Sequence, residues 1–227
     1  MKIDMNVASL SGSTPLCFEI NDLIIAGWAG RDKEAMEHHI RELEALGVKR
    51  PETTPTFYRV AANRLTTGGR IECNGSASSG EVETVIIAQG GKLYVGIGSD
   101  HTDREVETYG ITVSKQMCDK PVGAEVWPFD EVAPHWDSLI IRSWLTADGK
   151  RSLYQEGTVA GLLDPADVIA RYTQGADLPD GTAILGGTTP AIGGIRPGEV
   201  FECELEDPVL SRKLHLVYEI KELPISG

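Results

Sequence analysis

Histidine is scarce in this chain, cysteine is sparse and ungrouped, and no long apolar run interrupts its 227 residues. The four cysteines, Cys17, Cys73, Cys118 and Cys203, show no CxxC spacing and so no paired-cysteine metal or redox motif. With no signal peptide or membrane-length stretch in view, that pattern fits a reduced, cytoplasmic protein. The five histidines, at 38, 39, 101, 135 and 215, are ungrouped beyond the adjacent pair, which argues against a metal barrel built on clustered His ligands. Basic residues are outnumbered, 21 Lys and Arg against 34 Asp and Glu, for a net charge of −13. That balance argues against nucleic acid or an anionic membrane as the main partner, and it means that a small anionic substrate would need local cations. The one glycine-rich stretch lacks the Lys and the spacing of a P-loop, so nucleotide binding is disfavoured. There is no internal repeat and no low-complexity segment.

What is present is enough for one globular domain with a sizeable core: 41% of residues are hydrophobic and 24% charged. The most informative stretch is EVETVIIAQGGKLYVGIGSDHTDR, Glu81 to Arg104. Its alternating, β-branched halves flank Gly90-Gly91, which predicts a β-hairpin with a two-residue turn. Gln89 then faces Lys92, and counting outward sets Glu81 opposite Asp100. Glu83 is two residues from Glu81, so three carboxylates share one face. Val85 and Ile87 continue that face as apolar residues, placing the acids at the mouth of a buried surface. Opposed like charges destabilise a sheet unless something neutralises them. An oxygen-only set without nearby Cys suits a hard ion, Mg²⁺ first, with Mn²⁺ or Ca²⁺ possible. On spacing alone, the same residues also read as an ordinary charged strand end.

The other elements follow from periodicity. Two short strands bend at Asn21-Asp22, between Leu16 and Trp28. A helix runs from Asp32 to Gly47, with Asp32 as its cap, Gly47 as its stop and Met36, Ile40, Leu43 and Leu46 as its apolar stripe. His39 falls inside that stripe and Glu42 at its edge. Phe57 to Val60 reads as a strand, with Tyr58 and Arg59 open between site and surface. Tyr109 to Ser114 reads as a strand and Lys115 to Val122 as a loop, offering Lys115 and Lys120 as cations that would by default be surface lysines. Residues 135–145 pair through a turn at Asp148-Gly149 with Ser152 to Glu156. A helix starts at Pro165 after Asp164. Gly181 to Gly198 is a strand entering a Gly, Thr and Pro-rich loop, where Thr188 and Thr189 could help hold an anion. Strands at Glu199 to Glu206 and Lys213 to Ile220 close the sheet.

In this order the pieces resemble the fumarylacetoacetate hydrolase (FAH-like) superfamily, from about Leu23 to Leu223, and within it a bacterial subgroup of unassigned function. EVE at 81 to 83 is similar to the family's ExE ligand pair, DHTDRE from Asp100 to the stretch supplying a third carboxylate, HHIREL from His38 to its HxxE helix, and GGTTPAIGGIRPGEVFECEL to its TGTPxGVG segment. Trp28-Ala29-Gly30-Arg31 replaces the family's Asn-Tyr, and the threonine loop reads Gly-Thr-Thr-Pro; both departures touch substrate-holding positions. The resemblance implies an α+β, predominantly β fold with a mixed, curled sheet or roll and a small N-terminal helical portion. It implies one catalytic domain over 1–227, with residues 1–70 carrying the His/Glu helix and 71–227 the metal-binding core. It also implies a homodimer and a cytoplasmic, metal-dependent hydrolase cleaving a C–C bond in an acylpyruvate-like diketo acid. A decarboxylase or isomerase/hydratase of a small β-keto acid, or a non-catalytic metal-stabilised binding protein, are the alternatives. The implied roles are His39, Glu42 and Lys115 as catalytic; Arg104, Gln155, Thr188 and Thr189 as substrate-binding; and Glu81, Glu83 and Asp100 as metal ligands.

Overall fold

The computed structural model describes residues 1–45 and 50–226, without the side chains at positions 35, 39, 42, 43 and 45. The polar, Ser-rich start, which the sequence leaves unassigned, forms β1 (Lys2–Ser9) and β2 (Gly12–Glu19), followed by β3 (Asp22–Gly27). Helix α1 (Lys33–Ala45) comes next. Its start is held as expected: the Asp32 carboxylate accepts from the Glu34 N–H at 2.9 Å. The stop assigned to Gly47, and the side chains of His39 and Glu42, lie outside the described residues. Strands β4 (Thr56–Val60), β5 (Arg70–Asn74), β6 (Val82–Gln89) and β7 (Lys92–Ser99) lead to two short helices, α2 (Arg104–Tyr109) and α3 (Ile111–Met117). Then come β8 (Glu125–Pro128), β9 (Ile140–Ala147), β10 (Lys150–Thr158), α4 (Pro165–Thr173), β11 (Thr182–Leu185), β12 (Val200–Asp207) and β13 (Arg212–Leu223). No helix among the described residues is long and apolar enough to cross a membrane.

Two sheets carry the structure. One has eight strands in the order β2-β1-β8-β7-β6-β11-β3-β4, the other five in the order β10-β9-β12-β13-β5. Both are mixed: β1–β8, β3–β11 and β5–β13 run parallel, the remaining pairs antiparallel. The fold is therefore α+β, predominantly β, as expected. The first sheet is covered on both faces, which is why β6 is buried from Val82 to Ala88 and carries the unbroken apolar run Val85 to Ala88. Ile86 belongs to the core shared with Tyr154, Phe201 and Tyr218 of the second sheet. Val85 and Ile87, of opposite parity, belong to a separate core with Ile3, Phe18, Leu23 and Leu185, enclosed by the sheet's own curl.

The β6–β7 hairpin has the register read from the sequence, from Gln89 opposite Lys92 to Val82 opposite Ser99. Gly90 and Gly91 both have positive φ, 63° and 69°, as a two-residue hairpin turn of this hand needs. Gly98, opposite Glu83, has a different reason to lack a side chain. A Cβ there would lie 2.6 Å from Val85 Cγ2 and 3.1 Å from the Pro121 carbonyl oxygen. Gly98→Ala is accordingly expected to cost about 1 to 3 kcal/mol through overpacking, read as a lower urea midpoint with an unchanged slope.

One expectation fails outright. Residues 109–114 are not a strand and 115–122 are not a loop: α2 and α3 fill most of that span, and Lys120-Pro121 forms a two-residue strand beside Leu65-Thr66. The β-branched Ile111, Thr112 and Val113 suggest extended chain. The Asp103 carboxylate instead caps α2 by accepting from Val106 N–H at 3.0 Å, and buried ion pairs fix Lys115 on α3. Tertiary contacts outweigh the weak local preference.

Candidate metal centre

The hairpin ends supply the site. Glu81 immediately precedes β6, Asp100 follows β7, and their backbones are joined by the Asp100 N–H to Glu81 C=O bond at 3.0 Å. Glu83 projects from β6 on the same face, two residues along. One carboxylate oxygen from each of Glu81, Glu83 and Asp100 lies within 4.8 Å of the others. Glu81 is half-buried, Glu83 is 3% exposed and Asp100 0%.

Three cations answer these acids. Lys115, buried on α3, pairs directly with Asp100 Oδ2 and lies 3.6 Å from Glu81 Oε2. Its ammonium also stands 5.9 Å from the Tyr58 ring centre, which puts Tyr58 beside the site. Lys120 reaches Asp100 Oδ1 at 3.1 Å. Arg104 lies 3.3 Å from Glu81, pairs with Glu107 at 2.9 Å and donates to Ser79 Oγ at 2.7 Å. Arg59 instead pairs with Asp22 at the surface.

These surroundings split the two buried acids. Burial, reinforced by the charge of Asp100, pushes the Glu83 carboxyl well above the ordinary range despite Lys115. Burial acts on Asp100 in the same direction, but Lys115 and Lys120 outweigh it and hold its pKa down to about 2. For Lys115, burial works against the charged form, and Asp100, Glu81 and Glu83 together overcome it, so the ammonium is held above its ordinary value.

The threonine loop closes over the hairpin. Gly187 N–H donates to Glu83 Oε2 at 2.8 Å, and Thr188 Oγ1 donates to the Val82 carbonyl at 2.7 Å. Gln155, expected next to the substrate, braces this loop. Its carbonyl oxygen accepts from Val82 N–H at 3.0 Å and Ser143 Oγ at 2.9 Å; its amide donates to Thr188 Oγ1 at 2.7 Å and the Thr189 carbonyl at 2.6 Å. Both amide hydrogens and both acceptor positions are engaged, so Gln155 and Thr188 position the loop. Thr189 differs: its hydroxyl is buried without a hydrogen-bond partner. The Trp28 to Arg31 segment is tied elsewhere, with Arg31 forked onto Asp137 at 2.8 Å and bonded to the Leu162 carbonyl at 2.9 Å.

A divalent cation fits the donor set. Oxygens bound to one ion at roughly 2.0 to 2.6 Å are at most about 4 to 5 Å apart, and the three acids meet that span. Glu83, buried and far from its ordinary ionisation, touches none of the three cations, so it lacks the positive charge that an ion would bring. Lys120, offered from the sequence as a cation with the surface as its default, is buried against Asp100; the sequence missed the Gly187 amide and the His101 Nδ1 to Tyr218 to Ser99 hydrogen-bond chain behind the site, with steps of 3.0 and 2.8 Å. No residue pattern marks a lysine before a proline as buried.

The model of one family, described as a protein of unknown function (DUF2848), matches residues 26–218. The chain belongs to that family. Among curated proteins none matches it. Solved structures similar to this DUF2848 chain include 2-keto-3-deoxy-D-arabinonate dehydratase complexed with magnesium and 2,5-dioxopentanoate, at 17% identity and a TM-score of 0.62, covering 91% of this chain and 74% of that one. A fumarylacetoacetate hydrolase family protein from yeast is 18% identical with a TM-score of 0.59, over 91% and 95%. The 4-oxalocrotonate decarboxylase from Pseudomonas putida G7, complexed with calcium and acetate, is 17% identical with a TM-score of 0.56, over 88% and 76%. These likenesses show that the DUF2848 chain has the fumarylacetoacetate hydrolase fold.

Proposed function

We propose that this chain is a divalent-metal-dependent enzyme acting on a small anionic keto acid, and that its reaction is hydrolytic C–C cleavage of an acylpyruvate-like diketo acid. The observation that carries the reading is the convergence of Glu81, Glu83 and Asp100 beside Lys115 and Arg104. Glu81, Glu83 and Asp100 would hold Mg²⁺, with Mn²⁺ or Ca²⁺ as alternatives. Bound there, the ion supplies Lewis-acid polarisation of a keto oxygen and stabilises negative charge developing on it.

The remaining work falls to the chain's own side chains. Lys115 offers a fixed ammonium to the substrate's carboxylate or to the oxygen that becomes negative. Arg104 holds Glu81 in place: its Nη2 lies 3.3 Å from Glu81 Oε1, an ion pair made without hydrogen-bond geometry. The Thr189 hydroxyl anchors a substrate oxygen on the loop that Gln155 and Thr188 brace. His39, oriented by Glu42, is proposed to take the proton from the attacking water. The enzyme is proposed to work as a homodimer in the cytoplasm.

Decarboxylation or dehydration at the same site is the second reading, because the similar structures include a decarboxylase and a dehydratase. Incubating the protein with Mg²⁺ and a panel of diketo and β-keto acids, with products read by NMR, separates these. Hydrolysis is expected to give two carboxylic or keto-acid fragments, one bearing an oxygen from labelled water. Carbon dioxide without label incorporation would replace it with decarboxylation, and no turnover of any member would favour a metal-stabilised binding protein.

A further inference from the structure

Lys120 has no part in the chemistry above, and the inference drawn from it rests on the metal reading. Its side chain is 0% exposed, its ammonium lies 3.1 Å from Asp100 Oδ1, and it donates to the His101 carbonyl at 2.5 Å. Asp100 therefore carries two ammonium groups, since Lys115 holds the other oxygen. One suffices to neutralise a carboxylate, and burying a second costs desolvation that an apolar side chain would avoid. Sealed from solvent, Lys120 cannot swing out to a ligand, so it acts through its fixed charge.

The direct partners of Glu81, Glu83 and Asp100 sum simply. Glu81, Glu83 and Asp100 carry three formal negative charges against three positive ones on Lys115, Lys120 and Arg104, which pair with Glu81 and Asp100, while the more exposed Glu107 shares Arg104 at the rim. A divalent cation added to that set leaves a surplus of positive charge in a poorly solvated place. We propose that Lys120 couples cation binding to anion binding: the ion alone is held weakly, and the ion with a doubly charged chelating anion firmly. The carboxylate and enolate oxygens of a diketo acid are such an anion, and a monoanionic or neutral carbonyl compound is not.

The test is Mg²⁺ titration calorimetry on the full chain, with and without saturating oxalate as the unreactive dianion, after subtracting Mg²⁺–oxalate association in buffer. Oxalate is expected to tighten Mg²⁺ binding by about 10-fold or more. Lys120→Gln removes the charge but keeps a donor for the His101 carbonyl. It is expected to tighten Mg²⁺ alone by about 10-fold, the order set by one nearby unit charge, and to shrink the oxalate gain by a similar factor. Oxalate without effect on the wild type would overturn the proposal, as would a Lys120→Gln variant that binds Mg²⁺ more weakly with the oxalate gain intact. Should that variant fail to fold, the wild-type comparison decides. Wild-type protein that takes up no Mg²⁺ in either condition would sink the metal reading itself, and this inference with it.

Discussion

Glu83→Gln is expected to lose Mg²⁺ binding by roughly 100-fold or more and yet to melt higher than the wild type at neutral pH without metal. The first effect follows from removing one of three proposed ligand carboxylates, a larger change than the 10- to 100-fold typical of disturbing a group that only orients a ligand. The second follows from burial. Glu83 is pushed well above the ordinary carboxyl range, so between its unfolded value near 4.5 and its higher folded value the native protein carries a proton that the unfolded chain has released. That stabilising contribution is fully present below the unfolded value and is lost as pH rises through the folded one. Metal-free wild type should therefore lose stability as pH climbs above about 4.5. Glutamine has no charge to bury, and its amide oxygen can still accept from Gly187 N–H, so the variant should lack this slope. Saturating Mg²⁺ should stabilise the wild type and leave the variant unmoved. Melting curves in EDTA and in Mg²⁺ across pH 4 to 8 check both halves. A variant that melts lower than wild type in EDTA at pH 7, or one stabilised equally by Mg²⁺, would be incompatible with this account.

How much of this centre was legible beforehand follows from the physics of each part. A strand has a side-chain period of two and a Gly-Gly turn fixes the register, so the shared face of Glu81, Glu83 and Asp100 could be counted from the sequence. The two buried lysines could not. Lys115 sits on a helix whose local sequence favours extended chain, and Lys120 lies in a two-residue strand with no periodicity to read. Both are placed by carboxylates distant along the chain or by backbone, and a lysine's default is the surface. Gln155 poses a different problem. A glutamine near the site suggests a substrate contact, but its role depends on whether its amide is already engaged, and only the structure shows the four bonds that engage it.

Asp100→Asn should behave in the opposite sense to Glu83→Gln, although both remove a proposed ligand. Asp100 lies between two buried ammonium groups, and its pKa falls from the ordinary 3.8 to about 2. A group depressed in this way stabilises the fold above its unfolded value, and the contribution disappears as pH falls toward 2. That shift corresponds to roughly 2 kcal/mol at neutral pH. Asparagine forfeits it, leaves Lys115 with Glu81 at 3.6 Å, and strands Lys120 with only the His101 carbonyl among its described partners. Breaking a buried pair by removing one member typically costs 3 to 5 kcal/mol, so a loss of about that size is expected at pH 7 without Mg²⁺, and a larger one with it, because the wild type alone gains from binding the ion. Denaturant unfolding measures it directly. The pairing also predicts how the loss is repaired: adding Lys120→Met removes one stranded charge, so the double variant should be more stable than Asp100→Asn alone. If the second substitution deepens the loss instead, Lys120 does not owe its place in the core to Asp100.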